Sequence, residues 1–217
     1  MDLPQTLPIL DAAELRVLGA LIEKCKTTPD YYPMTLNSLT AACSQKTSRR
    51  PIVQYDEETV VIALNSLKKN GLISTATGGT SRSVKYKHNF TLVFPLTSAE
   101  LALLCLLFLR GPQTPGELNT NSARLYEFES LEEVHQVLDK LAQYEQPFVR
   151  QQPKRAGQKE VRYIHLFGES PEFEEEELPE EPARKSVNEL ETRLALVEND
   201  LALVKETLNK LMKELMG

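Results

Sequence analysis

"PILDAAEL" at residues 8–15 and "FPLTSAEL" at 94–101 are two versions of one helix-start signal, and this repeat limits the possible folds more than any other feature. In each, a capping residue (Asp11 or Thr97) stands three positions before a glutamate (Glu14 or Glu100). At that spacing side chains and backbone amides cap one another reciprocally. Each signal opens an apolar helix. In the first, Leu15, Leu18, Ile22 and Cys25 recur at helical spacing; in the second the run is "LALLCLLFL", 101–109.

The elements that follow match in order. Thr35 and Thr114 each cap a short second helix, "TLNSLTAAC" and "TPGELNTNSARL", the latter with Pro115 at its first helical position and Glu117 as capping partner. A third helix begins at Asp56 in one copy and at Ser130, with Glu133 as its box partner, in the other. Their inward positions are Val60, Leu64 and Leu67, then Val134, Leu138 and Leu141, and Asn70-Gly71 stops the first. Each copy ends in a predicted hairpin: "LIST" and "SVKYKHN" around Gly78-Gly79, and "FVRQQ" and "VRYIHLF" around "PKRAGQKE". Three helices and a hairpin, twice over, predict two tandem winged helix-turn-helix domains at 1–90 and 91–168. The class is mainly α (α+β).

The tail is a different material. Residues 169–185 are expected to be an acidic disordered linker, because "ESPEFEEEELPEEP" at 169–182 holds eight carboxylates and three prolines and cannot build a core. Beyond it Val187, Leu190, Leu194, Val197, Leu201, Val204, Leu208, Leu211 and Leu215 alternate by three and four without a break. A helix packed on its own domain would carry a wider, less regular stripe. Residues 186–217 are therefore predicted to be a coiled-coil helix that joins two copies of the chain.

The net charge of −6 conceals an asymmetry. Residues 169–217 carry six basic and fourteen acidic side chains, whereas residues 44–90 carry eight basic and three acidic. An acidic total therefore leaves room for a basic working face. Its expected members are Lys46, Arg49 and Arg50 in the loop before the third helix, and Arg82, Lys85 and Lys87 on the first hairpin. Lys154, Arg155, Lys159 and Arg162 repeat the pattern on the second hairpin. Lys85 and Lys87 share one face of a strand by its period of two. The bland alternative is that exposed loops and hairpins are basic for solubility. The third helices look like weak base readers: their outward stripes are Glu58, Ile62, Asn65, Lys69 and Glu132, Gln136, Lys140, Gln143, and both begin with carboxylates.

No catalytic constellation is present in the sequence, and the chain is expected to be non-enzymatic, with no metal and no cofactor. His88, His135 and His165 are isolated, no Cys/His pair has zinc spacing, and "GGTS" lacks the lysine of a phosphate loop. Cys25, Cys43 and Cys105 read as reduced thiols of a cytoplasmic protein. The run 101–109 is too short to span a bilayer, and "MDLPQTLPIL" has no basic region before an apolar core, so neither a membrane segment nor a signal peptide is expected.

"LIEKCKTTPDYYPMTLNSLTAACSQKTSRRP" and "LRGPQTPGELNTNSARLYEF" resemble two hallmark stretches of the YceH-type family of uncharacterised bacterial proteins, a similarity that covers residues 10–168. The resemblance implies a cytoplasmic protein with two winged-helix domains and no established activity. Two functional expectations follow. The first is a dimer associated with nucleic acid, in a regulatory role. The second is a protein-interaction scaffold in which the winged-helix domains bind an unidentified protein partner.

The heptad seam generates a direct expectation. In sedimentation, the full chain should run as a dimer and a chain ending at Pro182 as a monomer. An unchanged mass per particle would remove residues 186–217 from self-association.

Overall fold

The computed structural model describes residues 6–76, 83–154 and 160–168. The linker over 169–185, the heptad helix over 186–217, and the candidate residues Arg82, Arg155 and Lys159 lie outside the described residues.

The first copy runs through α1 (Ala12–Thr27), a 3-10 turn (Pro29–Tyr31), β1 (Met34–Thr35), α2 (Leu36–Cys43), α3 (Glu57–Lys69), β2 (Ile73–Ala76) and β3 (Lys85–His88). A single turn, α4 (Phe90–Val93), leads to the second copy: α5 (Ser98–Arg110), α6 (Pro115–Ser122), α7 (Leu131–Gln143), β4 (Val149–Gln151) and β5 (Tyr163–His165). Helices with small antiparallel sheets make the class α+β. In the first sheet β3 is central, with Met34 opposite Tyr86 on one side and Thr75 opposite Tyr86 on the other. The second sheet has only β4 and β5, and an isolated bridge from Gln113 to Tyr163 stands where β1 stands in the first.

Local chemistry explains the helix starts. Asp11 accepts from the Glu14 amide while Glu14 accepts from the Asp11 amide, and Thr97 with Glu100 and Thr114 with Glu117 form the same reciprocal box. Thr35 and Asp56 accept from the amides of Ser38 and Thr59. At α7 the expected box is half made. Ser130 accepts from the Glu133 amide, but the Glu133 carboxylate accepts instead from the Glu129 amide at 2.8 Å and the Tyr126 hydroxyl at 3.1 Å.

Packing departs from the expected stripe on α1. Leu15 and Cys25 are only half-buried, whereas the unbroken stretch Val17–Ile22 is buried. The reason is that α1 packs against α2, α3 and β3 of its own copy and against α5 of the other as well. Helix α5 is buried from Ala99 to Leu109, as a run apolar all round requires. The two helices approach closely at Gly19, where a Cβ would lie 2.8 Å from Leu109 Cδ2, and the Cys105 thiol donates to the Gly19 carbonyl at 3.4 Å.

Two further features fuse the copies into one core. Phe90 and Phe94 of the connector meet Phe108, Phe148 and Phe167, with the Phe90–Phe108 and Phe94–Phe148 centroids 5.8 and 5.5 Å apart in edge-on geometry. The Leu10 amide, just before α1, donates to the Phe167 carbonyl just after β5 at 2.6 Å. Among the described residues, no helix is long and apolar enough to cross a membrane.

The close approach makes Gly19 a sensitive position. Gly19→Ala gains about 0.5–1 kcal/mol of helix propensity, but it overpacks a filled contact at a cost of roughly 1–3 kcal/mol. A net loss of up to about 2.5 kcal/mol should appear as a lower urea midpoint. An unchanged midpoint would mean that Leu109 moves aside without cost.

Candidate nucleic-acid interface

Residues 44–55 join α2 to α3, and the basic side chains there meet different fates. Arg49 is 3% exposed. Its guanidinium donates to both carboxylate oxygens of Glu23 on α1, at 3.1 and 2.6 Å, and to the Ala42 carbonyl at the end of α2. It also donates to the carbonyl of Ser48, a residue held in the left-handed region at φ 61°. Burial alone would raise the Glu23 carboxyl, but the Arg49 guanidinium outweighs it and holds the carboxyl below its ordinary value. The expectation that Arg49 grips phosphate is therefore corrected. A buried guanidinium whose charge is already met by a bidentate carboxylate is a structural tie, and releasing it would leave Glu23 with only the longer contact to Lys24 at 3.5 Å.

Arg16 makes a second tie that sequence reasoning missed. It is 3% exposed and donates to the carbonyls of Cys43 at 3.0 Å and Pro51 at 2.7 Å, holding both ends of the loop to α1. Its guanidinium carbon lies 5.8 Å from the centre of the Tyr55 ring. An arginine at a helix start gives no sign of this, because its partners are backbone carbonyls supplied by a distant loop.

The remaining candidates divide in two. Lys46, Arg50, Lys87 and Lys154 are exposed and Lys85 is half-buried, and none has a carboxylate partner among the described residues. Arg162 is bound at 2.8 and 3.1 Å by the two carboxylate oxygens of Glu117 and donates to the Pro112 carbonyl, so its charge is largely balanced. Lys85 pairs with Thr35 at the start of α2, whereas the loop leaves the other end of that helix. The intervening helix is about 12 Å long at 1.5 Å per residue.

The outward stripes of the third helices fall where the pattern places them. Glu58, Ile62, Asn65 and Lys69 are exposed on α3, Ile62 at 63%. On α7 Glu132, Gln136, Lys140 and Gln143 are exposed, but Lys140 is tied at 3.0 Å to Glu100, which also accepts from the Tyr144 hydroxyl. Asp56, Glu57 and Glu58 crowd the start of α3, and the Asp56 carboxyl is held below its ordinary value by the bonds it accepts from Thr59.

Two histidines and the Cys43 thiol are held away from solvent by packing. His88 and His165 each bury an Nδ1 that has no partner among the described residues, and burial pushes both down to about 4, so both are neutral at neutral pH. Burial pushes the Cys43 thiol up to about 12. Among the described residues no group of three or more His, Cys, Asp or Glu side chains is placed to hold a metal.

A family model described as "Protein of unknown function, DUF480" matches residues 10–158. The chain is 48% identical over 179 residues to a UPF0502 protein of Opitutus terrae, an alignment covering 82% of this chain and 78% of the relative. It is 51% identical over 158 residues to a UPF0502 protein of Shewanella baltica, covering 71% of each. A third UPF0502 protein, from Shewanella loihica, is 44% identical over 203 residues, covering 90% of this chain and 94% of the relative.

The Glu23–Arg49 pair has a measurable consequence. Arg49→Met leaves the half-buried Glu23 with only Lys24, 3.5 Å away, and should cost up to about 3 kcal/mol in urea unfolding. Glu23→Gln should cost a comparable amount, and the double variant less than the sum of the two. A parent-like midpoint for Arg49→Met would deny the pair any structural role.

Proposed function

The chain belongs to the DUF480 family of proteins of unknown function, and on that premise we propose that it is a cytoplasmic, non-enzymatic tandem winged-helix protein that associates with nucleic acid. The narrower assignment to a YceH-type family is part of the same reading. Each copy supplies a three-helix unit and a hairpin in the order that winged-helix domains use. The heptads over 187–215 would pair two chains, and a dimer presenting four such units is suited to a regulatory role on DNA.

The observation that carries this reading is the exposure of unpaired cations. Lys46, Arg50 and Lys87 face solvent with no carboxylate partner among the described residues, on a chain that neutralises Arg49 and Arg162 with bidentate partners. Cations left free beside well-matched ones are suited to an anionic polymer, and they grip phosphate without reading sequence.

A second reading rests on a different observation. Helix α3 begins with Glu57 and Glu58 and exposes Ile62, a face that repels phosphate and suits a protein partner. On that reading the chain is an interaction scaffold.

Binding of the full chain to labelled duplex DNA at low ionic strength separates the two. The nucleic-acid reading expects affinity to fall linearly with salt on logarithmic axes, with little dependence on sequence. Lys46→Gln and Lys87→Gln should each flatten the slope by about 0.9, the contribution of one lost phosphate contact. No salt-dependent binding to duplex or single strands would give the scaffold reading first place.

A further inference from the structure

We infer that Arg50 and Arg110, one from each copy of the repeat, form a two-guanidinium site for a single backbone phosphate of a nucleic acid. The inference rests on the nucleic-acid reading above and deepens it, because it makes the fused core itself the carrier of a binding site.

The placement comes from backbone geometry. The Arg50 amide donates at 2.9 Å to the Leu109 carbonyl, which seats the loop residue on the last turn of α5 beside Arg110. From the other side, Arg110 Nη2 donates at 2.9 Å to the hydroxyl of Ser48. The left-handed backbone at Ser48 turns the loop at that point. Arg50 is exposed, and its side chain has no partner among the described residues. Arg110 buries its Nε with no hydrogen-bond partner among the described residues. Burial, and then the like charge of Arg50, hold the Arg110 guanidinium below its ordinary value.

Two ordinary explanations for a pair of cations at this place fail. The first is capping of the helix end. The Leu106, Leu107 and Leu109 carbonyls accept from the Gln113 side chain at 3.1 Å, the Gly111 amide at 2.9 Å and the Arg50 amide at 2.9 Å, and neither guanidinium donates to a carbonyl of α5. The second is an ion pair within the chain. Glu23 is the carboxylate that Arg110 feels most, and it is committed to Arg49 through both oxygens. Two like charges thus stand on adjoining backbone, Arg50 exposed and Arg110 reaching the same loop through Ser48, with no carboxylate of their own among the described residues. A phosphodiester offers one negative charge and two free oxygens, the acceptor set that two guanidinium groups match.

The test uses the full chain, a labelled duplex and, separately, inorganic phosphate, with folding of each variant checked by thermal melting. Arg50→Gln and Arg110→Gln should each flatten the logarithmic salt slope by up to about 0.9, and Arg110→Lys, which keeps the charge, should stay close to the parent. Because both side chains serve one phosphate, the double variant should also flatten the slope by about 0.9. A flattening of about 1.8 in the double variant would mean two separate phosphates and would overturn the shared site. Should Arg110→Gln fail to fold, Arg50→Gln decides: a parent-like slope overturns the proposal. If the parent binds duplex and no variant moves the slope, the site falls while the proposed function stands on other cations. Binding of inorganic phosphate with an unmoved duplex slope would assign the pair to a free anion and overturn the proposal. A parent that binds no nucleic acid removes the site and the proposed function together.

Discussion

The packing of α1 against α5 is the contact on which the rest of the described structure depends. It joins the first helix of one copy to the first helix of the other, and it is possible because Gly19 lets Leu109 approach within a distance no side chain would allow. A repeat whose units each buried one face would give two small cores. Here α1 is buried against α3 and α5 at once, and the described core residues form a single cluster. The aromatic contacts of Phe90 and Phe94 with Phe108, Phe148 and Phe167 extend the fusion to the connector. The bond from Leu10 to Phe167 ties the beginning of the first copy to the end of the second.

That fusion governs the electrostatics of the surface. Burying a guanidinium is costly unless carbonyls or carboxylates replace its water. Arg49 and Arg16 meet the condition with Glu23, Ala42, Cys43 and Pro51. Both therefore hold the loop after α2 against α1, and neither offers a free charge. Lys46 and Arg50 have no such partner and stay exposed on the same loop. One basic stretch of sequence thus divides into a structural half and a half free to meet a partner. The division follows from which side chains can reach a buried acceptor.

The second copy shows the same logic with different partners. Arg162 is matched by Glu117, the capping residue of α6, so one carboxylate serves a helix start and an ion pair together. Glu100 likewise caps α5 and receives Lys140 of α7 and Tyr144 just after it. Capping glutamates are rigid and partly desolvated, and they are well suited to capture a neighbouring cation. The cost falls on the outward face of α7, where Lys140 is already engaged.

What the sequence determined by itself was the content of short range. The caps at Asp11, Thr35, Asp56, Thr97, Thr114 and Ser130 were legible because a side chain reaches an amide three residues on, whatever surrounds it. The inward residues of α3 and α7 were legible because each of these helices buries a single stripe, which periodicity records. Tertiary structure decided the rest. The number of neighbours against α1 is not written in its own spacing. Nor was the burial of Arg49 written in a polar loop, since it depends on Glu23, 26 positions away. The turn of Glu133 from its own cap to Glu129 and Tyr126, and the meeting of Arg50 with the end of α5, have the same origin. A charged side chain takes its role from whichever distant group shares its desolvated space, and chain folding brings that group there.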